Sequence, residues 1–283
     1  RKFEKEWSKF FKVKYAISVN SWTSGLIASI GALGLDPGDE VIVSPWTMCA
    51  SATAILHYNC IPVFADIEER TFCIDPKSVE KNISKKTKAI VAVDIFGQCC
   101  DYNALKKIAR KHNIKIICDS AQSILAKYKG KYSGTIGDIG GYSLNYHKHI
   151  NTGEGGVIVT NNKKYAKKLY AIRNHGEANT DSNKENLINN IGHNFRMGEI
   201  EAAIGIEQLK KVNKRVGLKR HVANILDKGL KDLPGLKIPQ IRKTSTHSYY
   251  IYPLILNLNI LKVSRKKILN LLIAEGVQGL IDK

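Results

Sequence analysis

The strongest constraint on the fold is a rhythm of short apolar runs that alternates with helical patterns through the first half of the chain. Val41-Ile-Val43, Ile61 to Ala65, Ala89 to Val93 and Ile114 to Cys118 are each apolar almost throughout. Such strands are buried on both faces, and a sheet covered on both faces is built from parallel strands joined by helical crossovers. The crossovers are present as patterns. Residues 23–33 read as a helix closed by Gly34 and a Pro37-Gly38 turn, and residues 49–58 as a second. Asp75-Pro76 supplies an N-cap followed by proline at the first helical position. Residues 103–112 carry an apolar stripe at helical spacing. These patterns predict an α/β fold with an open, mostly parallel sheet and helices on both faces.

After Gly134 the pattern changes. Ile139 to Leu144 and Gly156 to Thr160 read as two strands joined by a segment containing Lys148, and a helix runs from Asn162 to about Arg173. Residues 176–190 are polar and Asn-rich, which predicts a surface loop, and Met197 to Lys214 is an amphipathic helix. From about Val216 a further long helix and strand-like sequence over Tyr249 to Leu256 predict a smaller domain. The expected division is a large domain over 1–215 and a small, incomplete α+β domain over 216–283. Arg1-Lys-Phe-Glu-Lys-Glu-Trp7 reads as an amphipathic helix entered without a cap, so residues are expected to be missing upstream.

Composition narrows the class. The 283 residues include no apolar run long enough to cross a bilayer, and no apolar region follows the basic start as in a signal peptide. A cytoplasmic protein with no membrane partner is expected. The net charge of +19 is carried by scattered lysine pairs such as Lys106-Lys107, Lys167-Lys168 and Lys266-Lys267, without interleaved aromatic residues. That favours a solvated surface over nucleic-acid binding. The six cysteines, Cys49 to Cys118, show no C-x-x-C spacing and predict neither a disulfide framework nor a metal site.

The chemistry-bearing residues fall where strands end. Asp119 closes the run Ile116-Ile-Cys-Asp119-Ser-Ala-Gln122, and Lys148 lies in Ser143-Leu-Asn-Tyr-His-Lys148-His-Ile-Asn-Thr-Gly-Glu-Gly-Gly156. A lysine amine can form a Schiff base with the aldehyde of pyridoxal 5'-phosphate. A carboxylate can keep the cofactor's ring nitrogen protonated, so that the ring accepts electrons. Asn20-Ser-Trp-Thr23-Ser24-Gly25 leads straight into a helix, where N–H groups and hydroxyls can hold a phosphate. Ser143 offers another hydroxyl. Each residue alone has a plain alternative: Thr23 and Ser24 as helix caps, Asp119 as a buried paired carboxylate, Lys148 as an exposed loop lysine. Their joint order favours the functional reading.

The chain resembles the DegT/DnrJ/EryC1/StrS family of sugar aminotransferases, which are fold-type I pyridoxal phosphate enzymes. Matching stretches are Asn20-Ser-x-Thr-Ser24, Pro37-Gly-Asp-Glu-Val-Ile-Val43, Pro62-Val-Phe-Ala-Asp66, Asp119-Ser-Ala-Gln122, Gly134-Thr-Ile-Gly-Asp138, Ser143 through Gly156 and Asn194-Phe-Arg-Met197. The resemblance implies that Lys148 carries the cofactor and moves a proton, and that Asp119 binds the ring nitrogen. It places Gln122 against the ring and gives Thr23, Ser24 and Ser143 to the phosphate. It also has Asn194 reach the cofactor phosphate of a neighbouring subunit, hence a homodimer with shared sites. The implied reaction moves an amino group from glutamate to a keto sugar, most simply a nucleotide-linked one, with pyridoxamine 5'-phosphate formed between the two halves. Related dehydratases have histidine at the lysine position; here His147 falls one residue early, which favours transamination. Two departures stand out. Met48 occupies the position of a ring that stacks on the cofactor, with Trp46 nearby. Trp22 and Gly25 replace the small residue and alanine more usual in their turn, and a bulky Trp22 is expected to alter the substrate mouth.

Overall fold

The computed structural model describes residues 1–177 and 191–280. The first half follows the predicted alternation: α1 (Lys2–Phe11), β1 (Tyr15–Val19), α2 (Trp22–Leu33), β2 (Glu40–Val43), α3 (Ala50–Leu56), β3 (Ile61–Phe64), α4 (Pro76–Lys81), β4 (Thr87–Val93), a 3-10 turn (Ile95–Gly97), α5 (Tyr102–His112) and β5 (Lys115–Asp119). Then come the short pair β6 (Lys127–Tyr128) and β7 (Lys131–Tyr132), β8 (Ile139–Ser143), β9 (Gly156–Thr160), α6 (Lys163–Arg173) and α7 (Glu199–Leu230). The chain continues through β10 (Leu236–Lys237), β11 (Ile255–Leu256), α8 (Leu258–Leu261) and α9 (Arg265–Ala274).

Seven strands form one sheet in the order β1-β9-β8-β5-β4-β2-β3. The five strands from β8 across to β3 pair in parallel, and β9 runs antiparallel to both β8 and β1. Six strands therefore share one direction, and their carboxyl ends lie along one edge. Val19, Ser143 and Gly156 stand level there, since Gly156 pairs with both of the others. Asp119 is one strand further on, opposite Gly141 of β8. Ligands of open α/β sheets bind outside this edge.

Local chemistry explains the elements. Ser21 caps α2 by accepting from the Ser24 N–H at 3.0 Å, and Gly34 ends that helix in the left-handed region at φ 71°. Asp75 caps α4 with Pro76 behind it, as the sequence predicts. Phe3, Trp7 and Phe11 of α1 repeat on one face and are buried, with Trp7 and Phe11 stacked 4.9 Å apart and both against Tyr142 of β8. A fully buried ring of this size contributes about 1.5–3 kcal/mol. This second apolar cluster fixes α1 and α7 to one side of the sheet, while α2 lies within the larger cluster beside β4, β5 and β9.

The structure differs from the sequence reading in four places. β1 (Tyr15–Val19) has no counterpart among the expected strands. β3 is an edge strand with Ile61 and Phe64 exposed, so it is not covered on both faces. Strand geometry within Tyr249 to Leu256 is confined to Ile255–Leu256, because Tyr249 turns the chain with φ 50°. The two helices expected on either side of residue 215 are one, α7, which runs unbroken from Glu199 to Leu230. The loop expected at 176–190 lies, from residue 178 onward, outside the described residues.

Candidate active site

Asp119 is the buried centre of the strand edge, 4% exposed. Its Oδ1 accepts from the indole Nε1–H of Trp22 at 2.7 Å and from the Ala121 N–H at 3.2 Å. Its Oδ2 accepts from the Ser51 hydroxyl at 2.7 Å, and Ser51 in turn shares a hydrogen bond with Thr47 at 2.9 Å. Among the described residues these donors are neutral, so the carboxylate stays a strong acceptor for a further N–H.

A second carboxylate supports this edge from below. Asp94 follows β4 and is fully buried. It accepts from the Ser120 hydroxyl at 2.6 Å, the Tyr102 hydroxyl at 2.9 Å and the Cys100 N–H at 2.9 Å. Burial pushes its carboxyl up to about 7, against the hydrogen bonds that lower it. Its own N–H donates to the Asp119 carbonyl, which locks the ends of β4 and β5 together.

The phosphate-cradle residues divide. Ser21, not Thr23 or Ser24, is the N-cap of α2. Ser24 is buried and hydrogen-bonded to Ser21 through its hydroxyl at 2.9 Å, while Thr23 is exposed at the helix start. Ser143 ends β8, level with the end of β1 that feeds this helix. The hydroxyls and the N-terminal N–H groups of α2 thus lie on the edge that carries Asp119.

Lys148 sits in the loop between β8 and β9, half-buried. Its Nζ donates to the Tyr250 hydroxyl at 3.3 Å and lies 4.3 Å from the centre of that ring. Next to it, His149 contributes Nε2–H to the Ser248 carbonyl at 2.9 Å, a donor role set by the acceptor it faces. Burial, helped by Lys219, holds His149 down to about 4. The segment 246–251 therefore packs across the lysine loop. It is held there also by Ser248 N–H to the Gly97 carbonyl and Ile251 N–H to the Phe96 carbonyl.

Gln122 lies three residues after Asp119, its Oε1 accepting from the Phe96 N–H at 2.8 Å. Asn194 is exposed and pairs through its backbone with Asn174. The Asn20 side chain donates to its carbonyl at 3.3 Å, which ties Asn194 to the turn before α2. Met48 is 70% exposed, and Trp46 rests on Phe72 with ring centres 6.4 Å apart. Trp22 is 5% exposed, so it does not shape a mouth; it fills the core behind Asp119. Ser51, Tyr250 and the role of Trp22 were missed in the sequence. Ser51 and Thr47 are hydroxyls one helical turn apart at a strand end, the only local sign of the first of these.

An amine, a buried acceptor acid and a hydroxyl-rich helix start fit pyridoxal phosphate by their donor chemistry, and the fold is that of fold-type I enzymes using it. The chain belongs to the DegT/DnrJ/EryC1/StrS aminotransferase family, whose model matches residues 1–281. It is thus an enzyme of the pyridoxal phosphate-dependent aminotransferase class. It is 36% identical over 279 residues to the GDP-perosamine synthase of Caulobacter vibrioides, covering 98% of this chain and 74% of that protein. It is 33% identical over 274 residues to the spore coat polysaccharide biosynthesis protein SpsC of Bacillus subtilis, covering 94% of this chain and 69% of that one. The solved GDP-4-keto-6-deoxy-D-mannose-3-dehydratase of E. coli, with bound hydrated PLP, superposes with TM-score 0.89 at 30% identity over 98% of this chain and 76% of that one. No helix among the described residues is long and apolar enough to cross a membrane.

Proposed function

We propose that this enzyme transfers the amino group of glutamate to a keto sugar carried on a nucleoside diphosphate, in the making of a surface glycan or a related amino sugar. The observation that carries the choice of transamination is Lys148 itself. An amine stands at the lysine position, in a loop whose end at Ser143 shares the strand edge with Asp119. The similarity to GDP-perosamine synthases supports a nucleotide-linked acceptor. The likeness to a GDP-keto-sugar dehydratase keeps dehydration as the second reading, and a 2-deoxy-scyllo-inosose aminotransferase relative keeps a cyclitol ketone as a further acceptor class.

When bound, the cofactor supplies an electron sink that stabilises the carbanion formed at the reacting carbon. In this reading Asp119 receives the ring N–H and holds the ring in register. Lys148 would attach the cofactor and move a proton between the substrate carbon and the cofactor's C4′ carbon, off the donor in the first half-reaction and onto the product in the second. Tyr250 holds the Lys148 amine in place through its hydroxyl and ring face. The α2 N-terminus, with Thr23, Ser24 and Ser143, binds the phosphate. Gln122 lies beside the ring, and Asn194 reaches the phosphate of a neighbouring subunit in a homodimer. The free cysteines and the substrate class support a cytoplasmic setting. We place a small unit over 216–283, supported by the elements after α7, none of which joins the main sheet, with α7 itself shared between the two units.

The test is nitrogen tracing. With 15N-glutamate and a panel of nucleoside-diphosphate keto sugars, mass spectrometry should find the label in an amino sugar and 2-oxoglutarate in equal amount. A deoxy product without nitrogen would establish dehydration; a labelled aminocyclitol alone would move the acceptor class.

A further inference from the structure

Trp22 is the first residue of α2, directly after the Ser21 cap, and its single polar atom is spent on Asp119. The indole is 5% exposed, so its N–H has no water to turn to. Space for the ring is cleared by glycine on two different elements. A Cβ on Gly141 of β8 would fall 2.0 Å from Cζ3 of the indole, and one on Gly25 of α2 would fall 2.6 Å from Cε3. One side chain thus links the helix start assigned to the phosphate with the acid assigned to the ring nitrogen, and two backbones make room for it.

An ionised carboxylate offers about four lone-pair sites. Trp22 and the Ala121 N–H occupy Oδ1, and the Ser51 hydroxyl occupies one site on Oδ2. The site left among these contacts is on Oδ2.

We propose that Trp22 is a positioning residue for the cofactor: with Ser51 it fixes the plane of the Asp119 carboxylate and presents the open lone pair of Oδ2 to the ring nitrogen. This rests on the reading of Asp119 as the ring-nitrogen partner. The indole acts through Asp119 and does not touch the reacting atoms.

The experiment compares Trp22→Phe with the wild type in binding pyridoxal phosphate and its 1-deaza analogue, which has C–H in place of the ring nitrogen. Both ligands are titrated by absorbance. Phenylalanine keeps most of the packing and removes only the N–H. Losing one hydrogen bond to a charged group should weaken pyridoxal phosphate about tenfold or more and leave the analogue unchanged, since the analogue makes no use of the acid. Equal weakening of both ligands would reduce Trp22 to packing and overturn the proposal. Unchanged or tighter binding of pyridoxal phosphate would overturn it too. Ser51→Ala, which leaves the apolar core intact, must show the same selectivity if Trp22→Phe does not fold. If the wild type binds pyridoxal phosphate and the analogue equally well, Asp119 is not the ring-nitrogen partner, and that underlying assignment is what fails.

Discussion

At the scale of single residues, the site is defined by what each polar atom has left to give. Asp119 keeps one acceptor site among its contacts, and Lys148 is held by the hydroxyl and the ring face of Tyr250. Gly141 shows how closely this arrangement is fitted. Alanine there would drive its Cβ into the Trp22 ring and toward the Val157 carbonyl, 2.3 Å away. Overpacking of this kind costs about 1–3 kcal/mol, and in a chain of this size each kcal/mol lowers the melting temperature by roughly 2–4 °C. Gly141→Ala should therefore melt several degrees below the wild type in calorimetry. A melt indistinguishable from the wild type would mean that the indole does not fill this space.

At the scale of elements, one buried histidine ties the segment 246–251 to the lysine loop and a second braces the turn inside that segment. His149 donates to the Ser248 carbonyl, and His247 accepts from the Tyr249 N–H at 2.9 Å through Nδ1. Burial and nearby cations hold His149 down to about 4, and burial with Arg220 holds His247 down to about 3. Both values lie below the ordinary 6.5 of an unfolded histidine, so each favours folding fully above pH 6.5. Below it the unfolded chain takes up protons that the folded chain refuses. Stability then falls by about 1.4 kcal/mol per pH unit for each histidine. Asp94, raised to about 7, opposes this, because between about 4 and 7 the folded carboxyl keeps a proton that the unfolded one releases. His149→Gln keeps a donor for Ser248 and removes one of the two destabilising protonations. Urea unfolding from pH 7 to pH 5 should show its acid slope less steep than the wild type's by about one proton; an unchanged slope would contradict the assignment.

Elements also mark how far the sequence could be read. Strands buried on both faces announce themselves as short apolar runs, so β2, β4, β5, β8 and the antiparallel β9 are legible, and with them the edge carrying Asp119 and Ser143. β1 is not, since Tyr15-Ala-Ile-Ser-Val19 is short and gains its place only by pairing with β9, far along the chain. The break placed at residue 216 follows a change of pattern at Gly217, yet α7 crosses it: one interior glycine costs a helix only about 1 kcal/mol, and Val212, Val216 and Ala223 are buried on either side of it. The contacts of Trp22 with Asp119 and of Tyr250 with Lys148 join residues 97 and 102 positions apart. No periodicity encodes such pairs. They emerge only when the sheet brings strand ends together.

At the scale of the whole molecule, the proposed site draws on two chains. Asn194 is exposed beside the turn that starts α2 and is assigned to a neighbour's cofactor. That assignment has a sharp consequence. Lys148→Ala and Asn194→Ala protomers, each inactive alone, should regain activity when mixed and allowed to exchange, because one of the two sites in a mixed dimer then has both residues. If Asn194 serves its own chain, no mixture recovers.

The most direct test of the central claim is an absorption spectrum of the protein with pyridoxal phosphate, before and after glutamate, beside Lys148→Ala. The account predicts a visible band on adding the cofactor, loss of that band when glutamate delivers its nitrogen, and no lysine-linked band in the variant. A wild-type protein that shows no such band, or one shared unchanged by Lys148→Ala, would contradict it.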